Sequence, residues 1–168
     1  VVVNIEACVQ SIQQAIREAE LMAACKITRV ITGITGSHIR GRNSVGMVAV
    51  RDREVTPADV AKVLETARAI NISTDQRPLL VEPQEFIIDG QEVKEPIGMS
   101  GIRLESKVHI VTCAQSAAEN IIKCVRRCGL EVDHLMLNPL ASSLATLTDD
   151  ERELGVVVVD IGAGTTDI

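Results

Sequence analysis

Residues 155–168 read Gly-Val-Val-Val-Val-Asp-Ile-Gly-Ala-Gly-Thr-Thr-Asp-Ile, and no other stretch restricts the fold as tightly. Four consecutive valines predict a strand buried on both faces, because β-branched side chains suit a pleated, packed surface. Asp160 and then Gly162-Ala163-Gly164 end that strand at a sharp turn. Glycine reaches positive φ there at little cost and lets backbone N–H groups come close to a ligand. Thr165, Thr166 and Ile168 suit a strand again, so the chain is expected to return as a hairpin. A dinucleotide-binding G-x-G-x-x-G opens a helix and sets phosphate at the helix N-terminus. Here the third glycine and the helix-forming sequel are both missing. The turn therefore reads as a phosphate-cradling β-hairpin, with Gly162, Ala163, Gly164, Thr165 and Thr166 as the cradle. Asp160 repels a bare phosphate but can hold Mg²⁺ through water. Asp167 is a second acid, placed to hold an attacking water. A type I′ or II′ hairpin with no ligand is the competing reading.

A chain of 168 residues with 46% hydrophobic content can bury a real core. That core must be aliphatic, since Phe86 is the only aromatic residue. A net charge of −6 and the missing stacking surface argue against nucleic acid as a partner. The five cysteines lack C-x-x-C spacing and read as small core residues of a reducing cytoplasm. No segment has the length of a membrane span, and no signal peptide is present. The chain opens on a valine run without methionine and stops inside the hairpin, as a piece of a longer protein would.

Val1 to Val3 close an extended segment or loop, and Asn4 caps a helix to about Cys25 with Ile5, Val9, Ile12, Ile16 and Ala19 on one face. Residues 28–34 read as a strand broken by Gly33 and Gly36, and residues 38–42 as a basic loop, either a solvated turn or a phosphate contact. Residues 45–50 form a short strand. Thr56-Pro57-Ala58-Asp59 then starts a helix whose buried stripe is Val60, Val63, Leu64, Ala67 and Ile70. Residues 79–89 are extended, with a bend at Pro83. A loop over 90–101 leads to a strand at 102–104. Residues 36–106 thus form an inserted β-α-β-β unit. A separate strand at 107–113 follows, then a helix opened by a capping box at Ser116 and Glu119 and closed by Gly129. Cys124, Cys128 and His134 lie near one another in sequence, but no fourth metal ligand is apparent. A strand at 132–137, a small-residue helix at 138–147 and an acidic connection at 149–153 complete the chain. The alternation from 107 to 160 predicts an α/β layer with parallel pairs.

The D-x-G-x-G-T-T-D stretch resembles the second phosphate motif of the actin-like ATPases. The order of elements, an inserted β-α-β-β unit and then L-A-S-S-L-A before the hairpin, is similar to that of the FtsA family of bacterial cell-division proteins. The same family is suggested by A-E-L-M-A (19–23), G-M-V (46–48), K-V-H-I-V-T-C (107–113), R-C-G-L-E-V-D (127–133) and L-T-D-D-E-R-E-L-G (147–155). The resemblance implies an α/β, ribonuclease H-like ATPase half-domain. It assigns 1–35 with 107–148 to domain 1A, 36–106 to the inserted SHS2-type domain 1C, and 149–168 to the start of domain 2A.

By the same resemblance the cofactors are ATP and Mg²⁺, with an incomplete site here, because the first phosphate motif is expected before residue 1 and the adenine pocket after residue 168. Many superfamily members carry Glu or Gln at the start of the 138–147 helix to orient water. Asn138 stands there instead, and an amide cannot act as a general base. Binding is thus expected more than fast hydrolysis, so the implied enzyme is at most a slow ATPase. The implied partners are FtsZ, later division proteins and further copies through domain 1C. Membrane attachment is expected only through a C-terminal amphipathic helix beyond this chain, at the inner face of the cell membrane at the septum. Two alternatives share the fold, a PilM-like type IV pilus assembly protein and a sugar or acetate kinase. The kinase would need a substrate cleft with convergent acids, which 36–106 does not offer.

Overall fold

The computed structural model describes every residue except Val1, Val3, Ile70 and Asn71. The elements run α1 (Ile5–Ala23), β1 (Arg29–Ile34), β2 (Arg40–Ala49), α2 (Pro57–Arg68), β3 (Gln76–Ile88), β4 (Gln91–Val93), β5 (Arg103–Ala114), α3 (Gln115–Arg127), β6 (Glu131–Leu137), α4 (Asn138–Thr146), α5 (Asp149–Leu154), β7 (Asp160–Ile161) and β8 (Thr166–Asp167). They gather into two compact units, residues 1–39 with 114–168, and residues 40–113. The extended segment expected at Val1 to Val3 lies largely outside the described residues.

In the first unit, β1 and β6 pair in parallel, from Arg29 beside Glu131 to Ile34 beside Leu137, with a register shift after Val30. Asn4 caps α1 as expected, accepting from the Ala7 N–H at 3.1 Å. The apolar stripe of α1 meets α3, and Val9, Cys124 and Val125 are buried there. Arg127 of α3 forms an ion pair with Glu6 at the α1 start. The capping box expected at Ser116 does not form. The helix begins one residue earlier, at Gln115, so Ser116 lies inside the first turn, and Glu119 bonds the Gln115 amide at 2.7 Å. Gly129 follows the last turn at φ 78°, where glycine escapes the cost of a left-handed backbone.

The acidic connection is in fact a helix, α5. Thr148 and Glu151 cap each other's backbone, and this holds the Glu151 carboxyl below its ordinary pKa. Arg152 donates to the carbonyls of Leu144 and Leu147 at the α4 C-terminus, a site that favours a cation. The valine run departs furthest from expectation. Residues 155–159 are not strand, and Val156, Val157 and Val159 are exposed, Val157 by 77%. A strand is buried on both faces only when neighbours flank it, and no described strand lies beside this one.

The second unit is a four-stranded sheet in the order β2-β5-β3-β4 with α2 packed on β2. Three expectations are corrected here. Arg40 to Arg42, the second part of the expected basic loop, belong to β2. The strands expected at 102–104 and 107–113 are one strand, β5, antiparallel to β2 from Arg40↔Thr112 to Ala49↔Arg103. The unit therefore closes at Cys113 rather than at 106. Within the loop expected over 90–101, Asp89 and Gly90 both take positive φ, 49° and 90°, and turn β3 directly into β4. Asp-Gly is the dipeptide that such a two-residue turn prefers.

Thr56 and Asp59 form the capping box of α2, which lowers the Asp59 pKa through the bonds from Thr56. Val63 and Ala67 are fully buried against the sheet, while Ile70, the last residue of the expected stripe, lies outside the described residues. The core of this unit joins Val48, Val50, Val55, Val63, Ile88 and Leu104. Gly46 sets the approach of α2, because a Cβ there would lie 2.1 Å from the Val63 carbonyl oxygen and 2.8 Å from the Ala67 nitrogen. Backbone atoms of a packed helix cannot yield cheaply. Gly46→Ala is expected to destabilise the protein by about 1–3 kcal/mol. The exposed neighbour Val45→Ala should change stability by less than about 0.5 kcal/mol. Urea denaturation of the two variants side by side checks the contrast.

Candidate functional site

The hairpin forms as expected. Asp160 pairs with Asp167 and Ile161 with Thr166, antiparallel, across the four-residue loop Gly162-Ala163-Gly164-Thr165. The Gly162 N–H donates to the Thr165 carbonyl at 2.9 Å and closes the loop. That bond leaves Ala163 and Gly164 as the central pair, and neither takes positive φ, so the turn is not of type I′ or II′. Neither Gly162 nor Gly164 takes positive φ, so the expectation about their backbone is not met. A Cβ on Gly164 would meet nothing within 4 Å, so the chain is open to close approach from outside.

The hairpin register sets the two acids directly opposite each other. Residues opposite in an antiparallel pair share a face, with Cβ atoms about 4.5–5.5 Å apart, and like charges there repel. Each carboxylate is met by a hydroxyl from another element. Ser142, on the second turn of α4, donates to Asp160 at 2.6 Å. Thr35, immediately after β1, lies 2.6 and 2.7 Å from the two oxygens of Asp167, and Thr165 donates to the same group at 3.3 Å.

The parallel pair explains why these groups meet. β1 and β6 finish side by side at Ile34 and Leu137. The next residues, Thr35 and Asn138, therefore leave the sheet together at its carboxyl end, where open parallel sheets build ligand sites. Asn138 opens α4, with Pro139 in the first turn where its missing N–H costs nothing. The Asn138 side chain lies over Gly33, where a Cβ would come within 1.9 Å of its Oδ1. Gly33, read from sequence only as a strand breaker, is thus the space that Asn138 occupies. Gly33, Thr35 and Asn138 also line a cleft of about 480 Å³, together with Asn4, Cys8 and His38.

The structure brings Asp160 and Asp167 together and joins them to α4 and β1 through Ser142 and Thr35. Sequence reading valued Ser142 only for its small size and missed Thr35 altogether. The hint for both was weak, a hydroxyl residue at the end of a strand or on the first turns of a helix. The cysteine–histidine reading fares differently. Cys124 and Cys128 point at α1 backbone, to the Ile5 carbonyl at 4.0 Å and the Val9 carbonyl at 3.6 Å. Burial raises the pKa of both thiols, which opposes the thiolate that a metal needs. Cys25 is exposed, unlike the core cysteine it was expected to be.

A solved structure described as the PilM–PilN type IV pilus biogenesis complex matches 82% of this chain and 35% of that chain, with TM-score 0.50 and 18% identity. At that identity the match speaks for the fold alone, an α/β fold of the actin-like kind. Residues 36–112 match the model of the SHS2 domain inserted in FtsA. The chain is 62% identical over its whole length to the cell division protein FtsA of Pseudomonas aeruginosa. It is 50% identical over 98% of its length to that of Escherichia coli K12, and 48% identical over its whole length to that of Borreliella burgdorferi. The chain belongs to the FtsA family. It spans about 40% of the length of these relatives.

The Asn138–Gly33 contact yields a test of the site's geometry. Gly33→Ala is expected to drive the Asn138 side chain from its place and to destabilise the protein. Asn138→Ala on the same chain should recover part of that loss. A double-mutant cycle measured by thermal or urea unfolding should show coupling of about 0.5–3 kcal/mol. Strict additivity would mean that the two residues do not share this space.

Proposed function

We propose that this chain is the nucleotide-responsive part of an actin-like cell-division protein that binds ATP with Mg²⁺, polymerises, and tethers the FtsZ ring to the inner face of the cell membrane at the septum. The observation that carries the reading is the 160–167 hairpin, with paired acids flanking an open glycine loop, in a chain of the FtsA family. The residues present suit a magnesium–phosphate group. Mg²⁺ keeps several waters and takes one or two carboxylates, and Asp160 and Asp167 offer two on one face. Gly162, Ala163, Gly164, Thr165 and Thr166 would supply N–H and hydroxyl donors to phosphate oxygens. The bound cation would neutralise phosphate charge and relieve the repulsion between the facing acids.

In this reading residues 1–39 and 114–148 belong to domain 1A, 40–113 to domain 1C, and the segment from 149 begins domain 2A. Domain 1C serves contact with further copies and with later division proteins, and the membrane contact lies in other parts of the parent protein. Among the described residues no helix is long and apolar enough to cross a membrane. Asn138 can hold a water by hydrogen bonds but cannot take its proton, so turnover is at most slow.

Two outcomes are expected in a full-length protein that carries this stretch. Asp160→Ala should weaken Mg-dependent ATP binding by about 1.5–3 kcal/mol, the scale of a contact to a charged group. Titration calorimetry with and without Mg²⁺ measures this, and unchanged affinity removes Asp160 from the site. Deletion of 40–113 should leave ATP binding measurable and abolish assembly on membranes. The deletion is feasible because the chain enters at Arg40 and leaves beside it, with Arg40 paired to Thr112. Loss of ATP binding from a deletion variant that still folds would overturn this division of labour.

A further inference from the structure

We infer that Thr35 and Ser142 are positioning residues for the metal-binding carboxylates, each fixing one acid of the pair so that both face the same ligand. The inference rests on the magnesium–nucleotide reading of the hairpin and names the residues on which that site depends.

Three observations support it. The two bonds are symmetric in kind, a hydroxyl at 2.6 Å from a carboxylate in each case, and a hydroxyl bonded to an ionised acceptor is the stronger and more directional type. They arise from different elements, α4 for Ser142 and the end of β1 for Thr35, so they do not follow from the hairpin's own folding. The hairpin by itself is slight. Each of its strands has two residues, Ile161 is 79% exposed, and such a short ribbon is marginal alone in water. Its register sets two acids opposite each other, and the hydroxyls of Thr35 and Ser142 give each a fixed partner from outside the ribbon. Thr35 bonds both oxygens of Asp167 and Thr165 meets Oδ2, which leaves Oδ1 the freer of the two for water or a cation. Ser142 engages one oxygen of Asp160 and leaves the other open. Neither hydroxyl needs to touch the nucleotide. Each acts through the acid that it holds.

The two bonds also join the hairpin to both strand ends of the parallel pair, Thr35 directly and Ser142 through α4. A change at the hairpin that moves either acid therefore has a mechanical route to β1 or to α4. This would link a bound cation to β1 and α4, and it predicts that loss of either hydroxyl affects metal dependence rather than nucleotide contact in general.

The test uses the full-length protein with Thr35→Val, Thr35→Ser, Ser142→Ala and Ser142→Thr. ATP affinity is measured by calorimetry in excess Mg²⁺ and again in a chelator, and folding is followed by thermal unfolding. Thr35→Val and Ser142→Ala are each expected to weaken binding about tenfold in Mg²⁺, the lower end for a bond to a charged group, and to leave metal-free binding unchanged. Thr35→Ser should restore the wild-type value because it restores the donor at nearly the same place, and Ser142→Thr should recover part of it. Equal loss with and without Mg²⁺ would show a structural role only and overturn the inference. Wild-type Mg²⁺ dependence in Thr35→Val and Ser142→Ala would also overturn it, while the nucleotide reading stood. A wild-type protein that binds ATP no better with Mg²⁺ than without would bring down both.

Discussion

The parallel register of β1 and β6 is the constraint on which the first unit depends. Because Ile34 lies beside Leu137, the chain leaves both strands at one point, once into Thr35 and once into α4. A one-residue slip would turn every side chain of a strand to the opposite face. Thr35 would then point away from Asp167, and Asn138 would lose the space above Gly33. The bulge after Val30 takes up an irregularity near the start of the pair and keeps the register true at the end where it matters. Ile34, 1% exposed, anchors that end against the surrounding apolar side chains.

The second unit rests on a different constraint, the closeness of a helix to a sheet. Gly46 on β2 lets α2 lie against the strand, and Gly101 gives Ile88 similar room, where a Cβ would come within 2.2 Å of the Ile88 side chain. A core without tryptophan or tyrosine must gain its burial from many small aliphatic contacts, so close approach replaces bulk. Ser106, opposite Gly46 and fully buried, meets its hydrogen-bonding need at the Glu85 carbonyl. The inserted unit thus carries its own core and its own polar bonds, and its two ends are adjacent on paired strands.

What was legible in the sequence was local. Asn4, the Thr56 capping box and Gly129 act within a turn of themselves, and each stands where it was read. The hairpin was legible because its glycines and threonines exclude a helical sequel. The misreadings all needed information from elsewhere in space. Arg103 to Ala114 looked like two strands because Glu105, Ser106 and Lys107 interrupt the apolar pattern, yet Glu105 and Lys107 lie on the face away from α2 and Ser106 lies beneath it. Ser116 and Glu119 had capping-box spacing, but α3 already starts at Gln115. The valine run had the composition of a buried strand but no described neighbour to bury it. Thr35 carried only the weak hint of a hydroxyl after a strand, since its partner is 132 residues away.

The residue at position 138 ties these points to chemistry. A longer acid or amide at the first position of α4 would reach further from the same backbone, whereas Asn138 is short and already occupied above Gly33. Its amide can donate and accept but never carry away a proton in the pH range of the cell. Under the function proposed above, such a site would hold a nucleotide rather than consume it. The elements that converge on the hairpin, β1 through Thr35 and α4 through Ser142, would then respond to occupancy of the site and not to turnover.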